Sequence, residues 1–288
     1  MTEQRFIEAW QSFFIDSDYV KAFEKLSLTS FDALFSFNAG RNLVKSNLGG
    51  FRSRLQFEIE SPALPQPITV FLKRYNSPPI TLQLKNWLTH RNRISCGSVE
   101  RVSASQLTLV GVPVPKIIAY GEQWGGLFEK RSFIITEKIA NAEALERKLP
   151  ECFDASPTKA NLKQRKQFIT KLANFIKKFH ETNYRHRDLY FSHIFHDNDE
   201  KFFLIDLARA FKPMVLHRRF QIKDIAQVYY SAPKRHFSNT DRLRFYLGYT
   251  GRSKLTAVDK KFIRQVINKV KRMERHNIKH GIEAPFKS

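Results

Sequence analysis

Residues 179–211 read FHETNYRHRDLYFSHIFHDNDEKFFLIDLARAF, and two short apolar runs within that stretch separate Asp188 from Asp206. The runs, 194–196 and 201–205, flank the turn-forming cluster Asp197, Asn198 and Asp199, so they are expected to pair as a hairpin. A hairpin returns the chain to the edge it left, which would bring Asp188 ahead of it and Asp206 behind it to the same place. Two carboxylates on one edge suit phosphoryl transfer: one accepts the proton of an attacking hydroxyl, and the other holds the Mg²⁺ that bridges nucleotide phosphates. The same chemistry needs a cation on the phosphates. Lys73, in VFLKRY at the end of a strand in the sheet-rich first half of the chain, suits that role.

The elements that must position these groups follow from periodicity. Phe6, Ile7, Trp10, Phe13 and Phe14 fall on one helical face, so residues 1–30 are expected to form an N-terminal helical extension. An extended segment at 33–37 then leads through NAGRNLVKSNLGG to a strand at 51–59, and Pro62, Pro65 and Pro67 mark a turn before a second strand at 68–73. Helical stretches run to about Val110, and the prolines of GVPVPK exclude a helix there and introduce a strand at 116–120. A buried strand follows at 133–139, and beyond Asn141 the chain turns mainly helical, with Phe168, Ile169, Leu172, Phe175, Ile176 and Phe179 along one stripe. The pattern predicts an α+β protein of two lobes, residues 31–139 carrying a small sheet and 140–288 mainly helical.

Four segments together resemble the lipopolysaccharide kinase (Kdo/WaaP) family of bacterial enzymes: HRDLYFSH at 186–193, IDLARA at 205–210, FLK ending at Lys73, and KDIAQVYYSA from Lys223. The resemblance implies a two-lobed protein-kinase-like fold, with an antiparallel-sheet N-lobe and a helical C-lobe, and an ATP- and Mg²⁺-dependent enzyme that phosphorylates a sugar hydroxyl of the lipopolysaccharide inner core, most readily a heptose. It makes Asp188 the general base, Asp206 the metal ligand, Lys73 the phosphate-binding lysine, Glu100 its helix partner and Asp224 a structural support of the catalytic loop. Glu137 and Ile139, after the buried strand, are expected at the hinge that bonds adenine through its backbone. Gly49 and Gly50 are expected over the nucleotide, although with Gly40 they fit neither GxGxxG nor GxxxxGK[ST]. Two positions depart from the pattern. His193 stands where protein kinases place an asparagine beside the metal; imidazole suits hard Mg²⁺ poorly, so a contact to phosphate or substrate is equally open. Ala208 stands where the family more often has His, leaving Arg209 as the candidate phosphate or substrate contact.

Composition bounds the alternatives. Of 288 residues 42% are apolar and 26 are Phe, which excludes disorder. The only cysteines, Cys96 and Cys152, form neither a CxxC pair nor a His/Cys cluster, so a disulfide framework and a zinc site are not expected. The N-terminus lacks a signal pattern and no stretch approaches the roughly 20 apolar residues of a membrane span. A cytoplasmic protein is expected, peripheral on the inner membrane. The charge is extreme, with 49 Lys+Arg against 27 Asp+Glu, net +22. From Phe211 onward 19 basic residues face five acidic ones, and a basic amphipathic helix at 259–279 carries much of the excess. Anionic lipid headgroups are the expected partner of that face, together with the lipopolysaccharide acceptor. A nucleic-acid module would explain the charge but not the paired aspartates, and no zinc finger or RRM signature occurs, so no specific nucleic acid is expected. Kdo, a small molecule or a protein hydroxyl as acceptor, or a weakly catalytic kinase-like protein on anionic surfaces, are the competing readings.

Overall fold

The computed structural model describes residues 6–10, 12–43, 50–61, 66–156 and 158–281. The chain divides into two compact units, one comprising Met1–Gln106 with Val114–Ala140 and the other Leu107–Pro113 with Asn141–Ser288.

Among the described residues the first unit contains the strands β1 (Phe6–Trp10), β2 (Phe13–Asp16), β3 (Arg41–Asn42), β4 (Arg52–Ile59), β5 (Ile68–Asn76), β6 (Ile117–Gly125) and β7 (Phe128–Glu137). They form one antiparallel sheet in the order β1-β2-β6-β7-β5-β4-β3. Four helices accompany them: α1 (Val20–Lys25), α2 (Phe31–Ser36), α3 (Ile80–His90) and α4 (Cys96–Leu109). β5 lies between β4 and β7, where Val70 and Leu72 are wholly buried, so the β-branched and aromatic run ITVFLKRYN forms an interior strand.

The N-terminal residues correct the expectation of a helical extension. β1 and β2 pair antiparallel, and β2 pairs with β6 through Phe14 and Tyr120. Phe13, Ile15, Tyr19, Phe23 and Leu28 all belong to the main core of this unit. Their spacing satisfies a helix as well as a strand, and the free edge of β6, remote in sequence, decides the matter by burying Phe13 and Ile15 completely. The extended reading of 33–37 is also overturned. Ser30 accepts a hydrogen bond from the Ala33 amide at 3.1 Å and starts α2, whose Phe31 and Leu34 enter the core.

The second unit adds β8 (Ala142–Ala144), α5 (Lys159–Glu181), β9 (Ile194–Asp197), β10 (Phe202–Leu204), α6 (His217–Ser231), α7 (Asn239–Thr250) and α8 (Ala257–Lys279). β9 and β10 pair antiparallel around the Asp197–Asp199 turn, and β8 adds to β9. α5 buries Phe168, Ile169, Leu172, Ile176 and Phe179, its apolar stripe. α7 and α8 both open with capping boxes, Ser238 with Asp241 and Thr256 with Asp259.

Candidate active site

In the first unit Lys73 stands on β5 and Glu100 on α4, and the Lys73 ammonium donates to Glu100 Oε1 at 2.6 Å and Oε2 at 2.8 Å. Both side chains are nearly buried, so the ion pair is dry and each charge depends on the other. The start of α4 is fastened to β7. The Cys96 amide donates to Glu129 Oε2 at 2.8 Å, the Gly97 amide to Ser132 Oγ at 2.9 Å, and Ser132 Oγ to Glu129 Oε1 at 2.5 Å. A carboxylate and a hydroxyl from the sheet thereby cap the helix one turn before Glu100. Gly97 lets the helix start approach the sheet closely, because a Cβ there would lie 3.0 Å from Ser132 Oγ and 3.1 Å from the Phe133 carbonyl oxygen, and the neighbours would have to give by a few tenths of an ångström. Burial pushes the Glu129 carboxyl up, against the lowering effect of its donors, and pushes the Cys96 thiol up as well.

Glu137 closes β7, with its amide on the Lys116 carbonyl at 2.9 Å and its carboxyl raised mainly by burial; Ile139 lies just past the strand. Gly50 is exposed in the turn before β4, and Gly49 lies outside the described residues.

In the second unit helix α6 holds the loop that carries Asp188. The buried Asp224 carboxylate accepts the His186 and Arg187 amides, each at 2.8 Å. One turn on, Gln227 accepts the Leu189 amide at 2.9 Å through Oε1 and donates to the Arg187 carbonyl at 2.9 Å through Nε2. One further turn on, Ser231 Oγ accepts the Phe191 amide at 3.0 Å. Residues 224, 227 and 231 share one helix face, so successive rungs of α6 read successive amides of the loop. The loop's other end is tied by the paired backbones of Arg185 and Phe211, at 2.9 and 3.1 Å. His180 and His186 are buried around this brace, and burial lowers both of their pKa values. His180 Nε2 is 3.3 Å from Asp224 and its Nδ1 is 2.7 Å from the Tyr249 hydroxyl, while His186 Nε2 donates to the Ile205 carbonyl at 2.9 Å.

Asp188 is thereby presented with its carboxylate about three-quarters covered, and Arg209 donates to both of its oxygens, at 3.0 and 2.8 Å. Lys223 Nζ is 3.9 Å from Asp188 Oδ1 and donates to the Arg187 carbonyl oxygen. The Lys223 pKa is pulled down to about 8, chiefly by burial, with Asp188 opposing the change and Arg209 and Arg187 adding to it.

The expected hairpin returns Asp206 to the same region. His193 links the two aspartates: its Nδ1 donates to the Asp188 carbonyl at 2.7 Å, and its Nε2 lies 3.9 Å from Asp206 Oδ2. The carbonyl can only accept, so in the neutral ring Nε2 carries the lone pair that faces Asp206. Asp206 itself adopts a left-handed backbone, φ 56°, where the strand gives way to the 3-10 turn Leu207–Arg209. A divalent cation of the Mg²⁺ class takes one or two carboxylates and completes its shell with phosphate oxygens and water. The Asp206 carboxylate fits that demand, whereas the neighbouring His193 nitrogen suits such a cation poorly, and no group of three or more His, Cys, Asp or Glu able to hold a metal occurs among the described residues.

Of the residues that the sequence singles out, Asp188, Asp206, His193, Arg209 and Asp224 are gathered in one unit, and Lys73 and Glu100 pair in the other. Gln227, Ser231 and Lys223 are not among those singled out. The signal was present in KDIAQVYYS, where polar residues recur at i, i+3 and i+7 on an otherwise apolar helix. Glu129 and Ser132 left no such signal, because they cap a helix about 33 residues away.

A family model described as the lipopolysaccharide kinase (Kdo/WaaP) family matches residues 86–249. The lipopolysaccharide core heptose(I) kinase WaaP of Escherichia coli K12 is 25% identical over 240 residues, 80% of this chain and 87% of that one. The corresponding protein of Pseudomonas aeruginosa is 28% identical over 172 residues, 57% of this chain and 63% of its own. A solved structure described as WaaP in complex with acyl carrier protein superposes with a TM-score of 0.62 at 20% identity, covering 93% of this chain and 99% of that one. This last likeness establishes the α+β, kinase-like fold.

Proposed function

Because the chain belongs to the lipopolysaccharide kinase (Kdo/WaaP) family and is a phosphotransferase acting on a sugar hydroxyl, we propose that it transfers the γ-phosphoryl group of ATP to a heptose hydroxyl of the lipopolysaccharide inner core. The observation that carries the reading is the set of Asp188, His193 and Asp206, joined by one imidazole, with the loop that carries Asp188 braced by α6 at three points.

In this reading the acceptor hydroxyl enters beside Asp188, whose carboxylate orients it and takes its proton as the oxygen attacks phosphorus. The new bond forms between the sugar oxygen and phosphorus, the bond from phosphorus to the β,γ-bridging oxygen breaks, and the electron pair leaves on the nucleoside diphosphate. Arg209, exposed over half its side chain, is free to move from Asp188 onto acceptor or phosphate oxygens. Lys73, aimed by Glu100, is assigned to the nucleotide phosphates. A divalent cation, Mg²⁺ in this proposal, bound by Asp206 beside His193 would neutralise charge on those phosphates.

Peripheral contact with an anionic inner-membrane surface, on the cytoplasmic side, belongs to the same proposal. No helix among the described residues is long and apolar enough to cross a membrane. Met214, Val215 and Leu216 are 60%, 70% and 56% exposed in a row, with Lys212 before them and His217 after, a composition suited to the headgroup boundary.

Incubation with ATP, Mg²⁺ and lipopolysaccharide acceptors of graded core length, followed by mass spectrometry, tests the function. Phosphate on a heptose is expected. Phosphate on Kdo alone, or on no core sugar, overturns the acceptor assignment.

A further inference from the structure

Beside Asp188 the second unit has a groove of about 720 Å³, bounded by α6, α8 and the loop residue before the aspartate. Six cationic side chains line it: Arg187, Arg218, Arg219, Lys223, Lys269 and Arg272. No carboxylate is among the lining residues. The cations come from three segments and converge. Arg218, Arg219 and Lys223 lie along the first two turns of α6, Lys269 and Arg272 share a face of α8 with Gln265, and Arg187 adjoins Asp188. Arg218 is steadied by Gln265, whose Oε1 accepts from its Nε at 3.2 Å, and lies over the Phe262 ring at 5.5 Å.

This clustering opposes stability. Like charges gathered in one concavity repel, and Arg187, Lys223 and Lys269 are half-buried, where solvent screens them less. The downward pull on the Lys223 pKa records the same crowding, with burial as the first cause and Arg209 and Arg187 contributing. The start of α6 makes the arrangement costlier. Its first turn carries His217, Arg218 and Arg219, no acidic residue and no side-chain cap, although the positive end of a helix favours anions. α7 and α8, by contrast, open with an aspartate in a capping box. A concave, carboxylate-free set of guanidinium and ammonium groups is completed by an anion, and arginine pairs match the two oxygens of a carboxylate or phosphate.

We propose that this groove binds the carboxylate or phosphate groups that the acceptor glycan carries beside the sugar presented to Asp188. The inference rests on the kinase reading above and names what that kinase recognises in its acceptor. Lys223 connects the two places, since its ammonium reaches the Arg187 carbonyl and lies 3.9 Å from the Asp188 carboxylate. An acidic substituent seated between α6 and α8 fixes the register of the glycan, so that one hydroxyl meets the base. The groove also gives Lys269 and Arg272 a concave ligand site, whereas a flat headgroup plane would meet the convex outer face of α8, where Lys271 and Arg275 are exposed.

The test measures equilibrium binding of a short-core lipopolysaccharide glycan, delipidated, without nucleotide, and compares it with the same glycan after carboxyl reduction and dephosphorylation. Wild type is expected to bind the anionic glycan at least 30-fold more tightly than the neutral one. The variant Arg219→Ala, Lys269→Ala, Arg272→Ala should lose at least tenfold on the anionic glycan and less than twofold on the neutral one. Inorganic phosphate should compete with the anionic glycan on wild type only. Equal losses on both glycans, or none on either, overturn the proposal. So does a variant that keeps glycan affinity but no longer binds vesicles of 30% phosphatidylglycerol in phosphatidylcholine, because the groove then serves the lipid surface. The single Arg272→Gln, at an exposed position, carries the same comparison with an expected threefold loss should the triple variant unfold. Phosphoryl transfer is scored separately: glycan binding without transfer to any sugar overturns the kinase reading and leaves the groove standing, whereas transfer insensitive to acidic substituents does the reverse.

Discussion

In the first unit Lys73 meets Glu100 at 2.6 Å with side chains 11% and 7% exposed, whereas in the second Arg209 meets Asp188 at 2.8 Å with side chains 52% and 23% exposed. The charges are alike and the distances nearly so. What differs is water. The buried pair has no solvent to replace either partner, so each side chain is fixed where the other holds it. The open pair is screened, and its arginine can leave without stranding a charge. The first arrangement keeps a lysine in one place, and the second orients a carboxylate with an arginine that can swing away.

The most severe way to sharpen that contrast is Asp188→Asn. Turnover should fall about 10³-fold, the scale of a lost general base, while the melting temperature changes little because the partner arginine faces water. Retained turnover would remove Asp188 from the chemistry. Next in size, Lys73→Ala or Glu100→Ala should each cost about 3 kcal/mol of stability, because either breaks a buried ion pair. Calorimetry should then show a Tm lowered by roughly 6–12 °C for a chain of this size. Wild-type melting in either variant would mean that the buried pair behaves like the open one.

A pH series comes third and addresses Lys223, half-buried beside Asp188. Its pKa is about 8 in the folded protein against an ordinary 10.5, so between those values the unfolded chain holds the proton and the folded chain has released it. Stability from this group therefore rises as pH increases from about 8 toward 10.5, and Lys223→Met should abolish that rise in chemical denaturation profiles. A rise of equal size in the variant would show that Lys223 does not titrate there. The smallest effect belongs to Arg209→Ala, which should change stability by less than about 1 kcal/mol. A loss comparable to that of Lys73→Ala would erase the distinction between the pairs.

How far the sequence revealed these features depended on whether the forces were local. The turn at Asp197 to Asp199, the stripe of α5 and the basic face of α8 each lie within one element, and all three appear where periodicity put them. Phe13 and Ile15 are strand residues only because β6, about 105 positions later, offers an edge, and a helical spacing of aromatics could not reveal that partner. At the site, Asp188 and Asp206 were legible because a hairpin is short-range geometry. Gln227 and Ser231 act on backbone amides about 40 residues away: their spacing from Asp224 marks a polar face on α6, but side-chain chemistry in a motif does not show which amides that face holds.

The three rungs of α6 also determine which changes in chain length the protein can absorb. One residue added between Asp224 and Gln227 would advance everything after it by about 100° around the helix axis and 1.5 Å along it. Helicity and composition would survive, yet Gln227 and Ser231 would turn away from the Leu189 and Phe191 amides that they now hold. Deletion of one residue would do the same in the opposite sense. The eight positions from 224 to 231 are therefore a spacer of fixed length, and an insertion or deletion there would break a brace that a change of length between α7 and α8 would leave intact.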